Sequence, residues 1–186
     1  MAEAAEFRFN AGSLSLALAA TVRRRATLAQ DVLQPEGAPG RWLQAAGLAR
    51  VPMRLTAAQE RELLRVREAI CALGDALVAR RALPQGAAQI VNAAAARPIA
   101  APQLQARSGS MTLAARDPFG SALAAVARDA IELFAGPLRE RVKACAQDDC
   151  RVLFLDDSPS ARRRWCSMDR CGSRAKGKAF RERHAH

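Results

Sequence analysis

Cys145, Cys150, Cys166 and Cys171 stand as C-x4-C, then fifteen residues, then C-x4-C, two pairs with enough chain between them for a hairpin. Thiolates in that pattern suit Zn2+, which takes four ligands in a tetrahedron. Four sulfurs leave no open position for water or substrate, so the expected cofactor is one structural zinc ion rather than a catalytic one. Two alternatives compete, four free cysteines or disulfides. Five cysteines cannot all pair, and a reducing compartment disfavours any pairing. Cys71, beside an apolar stripe, reads as a small buried hydrophobe and not as a ligand.

No catalytic residue is expected. His184 and His186 are the only histidines and sit at the chain end, and no nucleophile and base pair is evident. The acid pairs Asp148-Asp149 and Asp156-Asp157 read as solvated turn or strand-end residues, and there is no phosphate-binding glycine loop.

From Leu138 onward thirteen Arg and Lys residues face seven acids. Arg162, Arg163 and Arg164 form a run, while Arg170, Arg174, Lys178 and Arg181 recur at helical steps, with Lys176 beside them. Four thiolates around one divalent ion leave about −2, which two or three of these cations can offset. The surplus points to nucleic acid, with these eight residues as candidate contacts, chiefly to phosphate; Arg174 is the candidate base reader among them, or else a brace for the zinc thiolates. Trp165 and Phe180 could stack on bases, although each also suits a small core.

The whole chain of 186 residues is half apolar and carries a net charge of +11. It is long enough to bury a core, and its charge favours an anionic partner, nucleic acid or membrane. The apolar run from Gly12 to Val22 is about half the length of a membrane span. Glu3 and Glu6 precede it and Arg23, Arg24 and Arg25 follow, the reverse of a signal peptide. A cytoplasmic protein with no membrane partner is therefore expected, and the excess of Ala and Arg over Lys suggests a GC-rich bacterial genome.

The elements that must hold these groups are mainly helical. A helix is expected over Leu14 to Arg25, with Leu14, Leu16, Leu18 and Val22 facing a core. A Pro- and Gly-rich loop from Gln34 to Gly40 leads to a short helix around Trp42, a core anchor. Thr56 and Gln59 form a capping box, and Leu63, Val66, Ile70, Leu73 and Leu77 follow at steps of three and four. That stripe reads as core, or as the seam of a homodimer. A helix over Gln85 to Arg97 ends at Pro98, a hairpin joins Gln103–Arg107 to Met111–Ala115, and Asp117-Pro118 opens a helix carrying Leu123, Val126, Ile131 and Phe134. Gly136-Pro137 divides a mainly α N-terminal domain with a minor β-hairpin, residues 1–136, from residues 137–186. In the second part a strand before Cys145, a strand around Phe154 and a helix from Met168 to Arg183 make a small treble-clef-like zinc module. So small a unit depends on metal to fold.

Residues Cys145 to Arg174, with Phe154-Leu155-Asp156, Arg163-Arg164-Trp165-Cys166-Ser167-Met168 and Cys171-Gly172-Ser173-Arg174-Ala175-Lys176, resemble the CGNR zinc finger family, with Ser173 in place of its Asn. Gly12 to Arg23, Arg41-Trp42-Leu43 and Ala127-Arg128-Asp129-Ala130 resemble the ABATE domain that usually precedes this finger. That domain's N-terminal motif carries an Asp and an Asn before a Thr, where this chain has Ala17, Ala20 and Thr21. The resemblance implies a bacterial transcription regulator. The finger is expected to bind DNA, with RNA binding or protein interaction as alternatives, and the helical domain to sense a signal such as a small-molecule effector or to mediate assembly.

Overall fold

The structure, a computed structural model, describes residues 7–25 and 27–184; Glu3, Glu6 and His186 lie outside them. Helix α1 (Leu14–Ala19) is capped twice: the Ser13 hydroxyl accepts from the Leu16 N–H, and the Asp129 carboxylate accepts from the Ser15 N–H at 2.8 Å. Its Leu16, Ala17, Leu18 and Ala19 are buried. The helix expected to reach Arg25 stops at Ala19, because the Thr21 hydroxyl donates to the Leu18 carbonyl at 2.6 Å and the next residues become strand. Strand β1 (Val22–Arg23) pairs antiparallel with β2 (Gln30–Asp31).

Helix α2 (Ala38–Ala45) seats Trp42 and Leu43 fully in the core. The capping box at Thr56 and Gln59 opens α3 (Ala57–Val78), which buries Leu63, Val66, Ile70 and Leu73, with Leu77 half-buried. Helix α4 (Gln85–Ala95) ends two residues short of Arg97; Arg128 donates to the Ala95 and Arg97 carbonyls, both at 2.9 Å, and closes that end. Strands β3 (Ala101–Leu104) and β4 (Met111–Ala114) form the expected hairpin. Helix α5 (Pro118–Ala135) starts under the Asp117 cap and buries Leu123, Val126 and Phe134. Ile131, expected in that core, is 36% exposed because it lies on the flank of the buried stripe.

After Gly136 a 3₁₀ turn (Pro137–Arg141) delivers the chain to β5 (Val142–Ala144), which pairs antiparallel with β6 (Leu153–Leu155). A π turn (Met168–Gly172) then leads into α6 (Ser173–Arg183), so the C-terminal helix begins with a wider turn than an α-helix has.

The β5–β6 hairpin is built into the helical body. Val142, Leu153 and Leu155 belong to the same buried cluster as Leu63, Ile70 and Val126. Gly74 on α3 makes room: a Cβ there would fall 2.4 Å from Leu153 Cδ1. The Leu155 N–H donates to the Ala11 carbonyl at 2.8 Å, and Gly12, with φ +89°, turns the chain over Leu155. Among the described residues no helix is long and apolar enough to cross a membrane.

Candidate metal centre and basic surfaces

The hairpin supplies the first cysteine pair. Cys145 follows β5, its N–H held by the Val152 carbonyl at 2.9 Å, and the turn that closes on Gln147 presents Cys150. Cys166 and Cys171 come from the segment before the π turn and from the turn itself. All four ligand atoms lie within 4.8 Å of one another, and Cys166 Sγ is 3.7 Å from both Cys150 Sγ and Cys171 Sγ. A tetrahedral Zn2+ with Zn–S bonds of about 2.3 Å requires sulfur–sulfur edges of roughly 3.8 Å. The four thiols therefore fit one zinc ion. Cys145, Cys150 and Cys171 are buried and Cys166 half-buried, packed by Val152 and Trp165.

Four thiolates at such distances repel unless a cation sits among them. Hydrogen bonding to Cys145 pushes the Cys150 thiol up to about 12 and Cys166 higher still, whereas donors from Cys150 and Cys166 lower Cys145. A divalent ion among them is what makes four thiolates stable together. Cys71 stands outside the cluster, and burial raises its thiol to about 12.

Around the ligands is a polar shell that holds their backbone. Gln147 donates to the Cys171 carbonyl at 2.8 Å. Arg163 donates to the Trp165 and Cys166 carbonyls at 2.9 and 2.6 Å, while its guanidinium lies 4.9 Å over the Phe154 ring. Arg174 makes a two-pronged contact with Asp149, at 2.7 and 3.2 Å, and reaches Cys171 Sγ at 3.5 Å. Arg24 of the body also pairs with Asp149, at 3.3 Å.

Asp156, read from sequence as solvated, is completely buried. Its carboxylate accepts from Lys143 Nζ, from the Ser158 N–H and hydroxyl, and from the Arg163 N–H. Burial alone would raise this carboxyl; Lys143 and the Ser158 donors hold it well below the usual range instead. A second buried charge, Arg67, grips Asp31 at 2.7 and 2.8 Å and ties α3 to β2. Sequence spacing signals neither, since both partners are distant in the chain.

Six of the eight candidate nucleic-acid residues line two separate clefts. Arg162, Arg163 and Arg164 line a groove of about 780 Å³ that also takes Arg80 and Arg81 from the end of α3, and Arg139. Arg170, Arg174 and Arg181 line a second cleft of about 630 Å³, shared with Arg8, Arg23 and Arg24. Lys176 and Lys178 are exposed and line neither, with Lys178 4.0 Å from Glu182. Of the residues that sequence reasoning did not join to the site, Arg80-Arg81 and Arg23-Arg24 carried a signal as adjacent cations; Arg8 carried none.

A mainly helical body that plants a hairpin in its core and carries a closed four-thiolate centre defines a zinc-finger protein. Comparison with protein families agrees with that class. Residues 141–184 match the CGNR zinc finger, and residues 12–137 match ABATE, described as a putative stress-induced transcription regulator. The second match spans more than half of the chain, which belongs to the ABATE family. No curated protein matches it.

Proposed function

We propose that this protein is a cytoplasmic DNA-binding regulator and not an enzyme, and that its zinc module grips duplex DNA chiefly through phosphate contacts. What supports the reading is the groove between the end of α3 and the zinc module. Arg80, Arg81, Arg162 and Arg164 meet there, and none has a carboxylate partner among the described residues. Cations that the fold does not neutralise, gathered in one concave strip, suit the evenly spaced charge of a nucleic-acid backbone. Exposed Lys176 and Lys178 extend the positive surface along α6. Arg174 has a different task in this reading. Both its Nη atoms are spent on Asp149, so it braces the metal centre instead of reaching a base edge.

The test is a salt titration of duplex binding by the zinc-loaded protein and by a variant with Arg80, Arg81, Arg162 and Arg164 changed to Ala. Each lost phosphate contact should lower the log-log salt slope by roughly 0.9, so the variant should bind weakly and with little salt dependence. Equal affinity and slope in the two proteins overturns the groove as a DNA surface. Stronger competition by structured RNA than by duplex DNA would assign the same groove to RNA.

A further inference from the structure

The second basic cleft is built from parts far apart in sequence. Arg8 comes from the segment before α1, Arg24 from the turn after β1, and Arg170, Arg174 and Arg181 from the π turn and α6. Arg24 and Arg174 already share Asp149. Arg8 and Arg170 have no carboxylate partner among the described residues, and Asp169 is the one acid in the lining. Even with Arg23 left aside, and with the −2 of a zinc–thiolate centre counted, the arginines outnumber the negative charges. Burial first, then the charges of Arg23 and Arg170, lower the Arg8 guanidinium to about 10. Arg8 and Arg170 thus line one cleft with no carboxylate bound to either among the described residues, and a bound anion would offset both charges.

Ala11, Ala20 and Val152 give the cleft an apolar part of its lining, beside the polar Asn10, Gln30 and Ser173, and the cleft falls in the size range of small-molecule sites. A single carboxylate is satisfied by one guanidinium fork, whereas several forks converging from different elements match the oxygens of a phosphoryl group. We propose that this cleft binds a small organic phosphate, with Arg8 and Arg170 on the phosphoryl group and Ala11, Ala20 and Val152 against the organic part. Because Arg8 lies in the segment before α1 and Arg170 in the finger, the ligand ties the start of the helical body to the finger. Ligand affinity and order in the finger are therefore coupled, each raising the other.

The experiment is calorimetric titration of the zinc-loaded protein with adenosine 5′-monophosphate, a dianion with an organic body, beside adenosine and inorganic phosphate. The nucleotide should bind more tightly than either fragment, and should slow metal loss to a chelator. Arg8→Gln and Arg170→Gln, each with its zinc content verified, should weaken it by tenfold or more. The variant of Arg80, Arg81, Arg162 and Arg164 to Ala should bind it unchanged, which separates this cleft from the DNA groove. No heat at about 1 mM nucleotide, or unchanged affinity in a zinc-loaded Arg8→Gln protein, overturns the proposal while leaving DNA binding through the other groove untouched. Loss of duplex affinity in Arg8→Gln without nucleotide binding also overturns it, and makes the cleft a DNA phosphate site.

Discussion

Helix α5 runs eighteen residues and buries eleven of them, whereas α6 runs eleven and, among described side chains, buries none. An isolated helix as short as α6 is marginal in water, and it has no apolar face to dock. It is held at its start, where Cys171 joins the metal cluster and Arg174 clasps Asp149. Helix α5 draws on burial along its whole length, with Leu123, Val126 and Phe134 against the core. The hairpin stands between these extremes, since Val142, Leu153 and Leu155 enter the body's core while the loop beyond them carries two metal ligands. Dependence on zinc should therefore grade along the chain instead of switching at Gly136-Pro137.

The largest effect expected from this contrast is in Cys166→Ser. Structural zinc supplies on the order of 10 kcal/mol to a small module, and three thiolates hold it far less well than four. The variant should lose its zinc, and hydrogen exchange should become fast from the substituted position through α6. The helical circular dichroism of the body should persist, and exchange in β5 and β6 should rise only modestly because their apolar face stays packed. Cys71→Ser should keep full zinc. A Cys166→Ser protein with full zinc would remove the ligand assignment; loss of the body's helical signal would make the whole chain one metal-dependent unit.

The next effect tests what the module owes to polar burial. Asp156→Asn keeps the shape but gives up the charge that receives Lys143, Ser158 and the Arg163 N–H. Breaking such a buried pair should cost about 3 kcal/mol, read as a lower denaturation midpoint with zinc present. The sign of the pH dependence follows from the depressed carboxyl. Its folded value lies below the unfolded value of about 3.9, so its contribution is complete above about pH 5 and fades as pH falls through 4 toward the folded value. The intact protein should lose stability in that window, and Asp156→Asn should show a flatter profile there. Parallel acid profiles in the two proteins would contradict the network's role.

Much of this contrast was legible in the sequence, and the limit is physical. The cysteine spacing, the Thr56–Gln59 box and the α3 stripe depend on neighbours within a turn or a loop, and so they leave a local pattern. The end of α1 at Ala19 depends on the Thr21 hydroxyl and on pairing of Val22 with Asp31, nine residues away. Asp156 reads as a surface acid because its ion-pair partner Lys143, thirteen residues away, reaches it only once β5 and β6 have paired. The basic residues mislead for the same reason. Helical spacing places Arg170, Arg174, Lys178 and Arg181 on one stripe, but three of the four line a cleft closed by Arg8 and Arg24 from the other end of the chain.

The smallest expected effect concerns the hold on α6. Arg174 touches Asp149 and Cys171 Sγ from a position that is about half exposed, where ion pairs often contribute little. Two features set this one apart. Its contact with Asp149 is two-pronged, and its second partner is a metal ligand, whose outer-shell donors commonly change metal affinity by tenfold or more. Arg174→Gln should therefore weaken zinc binding by about tenfold, about 1.4 kcal/mol, measured by competition with a chromophoric chelator. Arg174→Lys, which keeps the charge but loses the fork, should fall between the two. Asp149→Asn should reproduce part of the loss, since Asp149 aims the guanidinium at the sulfur and also receives Arg24. Equal zinc affinity in all four proteins would mean that α6 is held by the cysteines alone, and that Arg174 is free to be recruited by a ligand or by DNA.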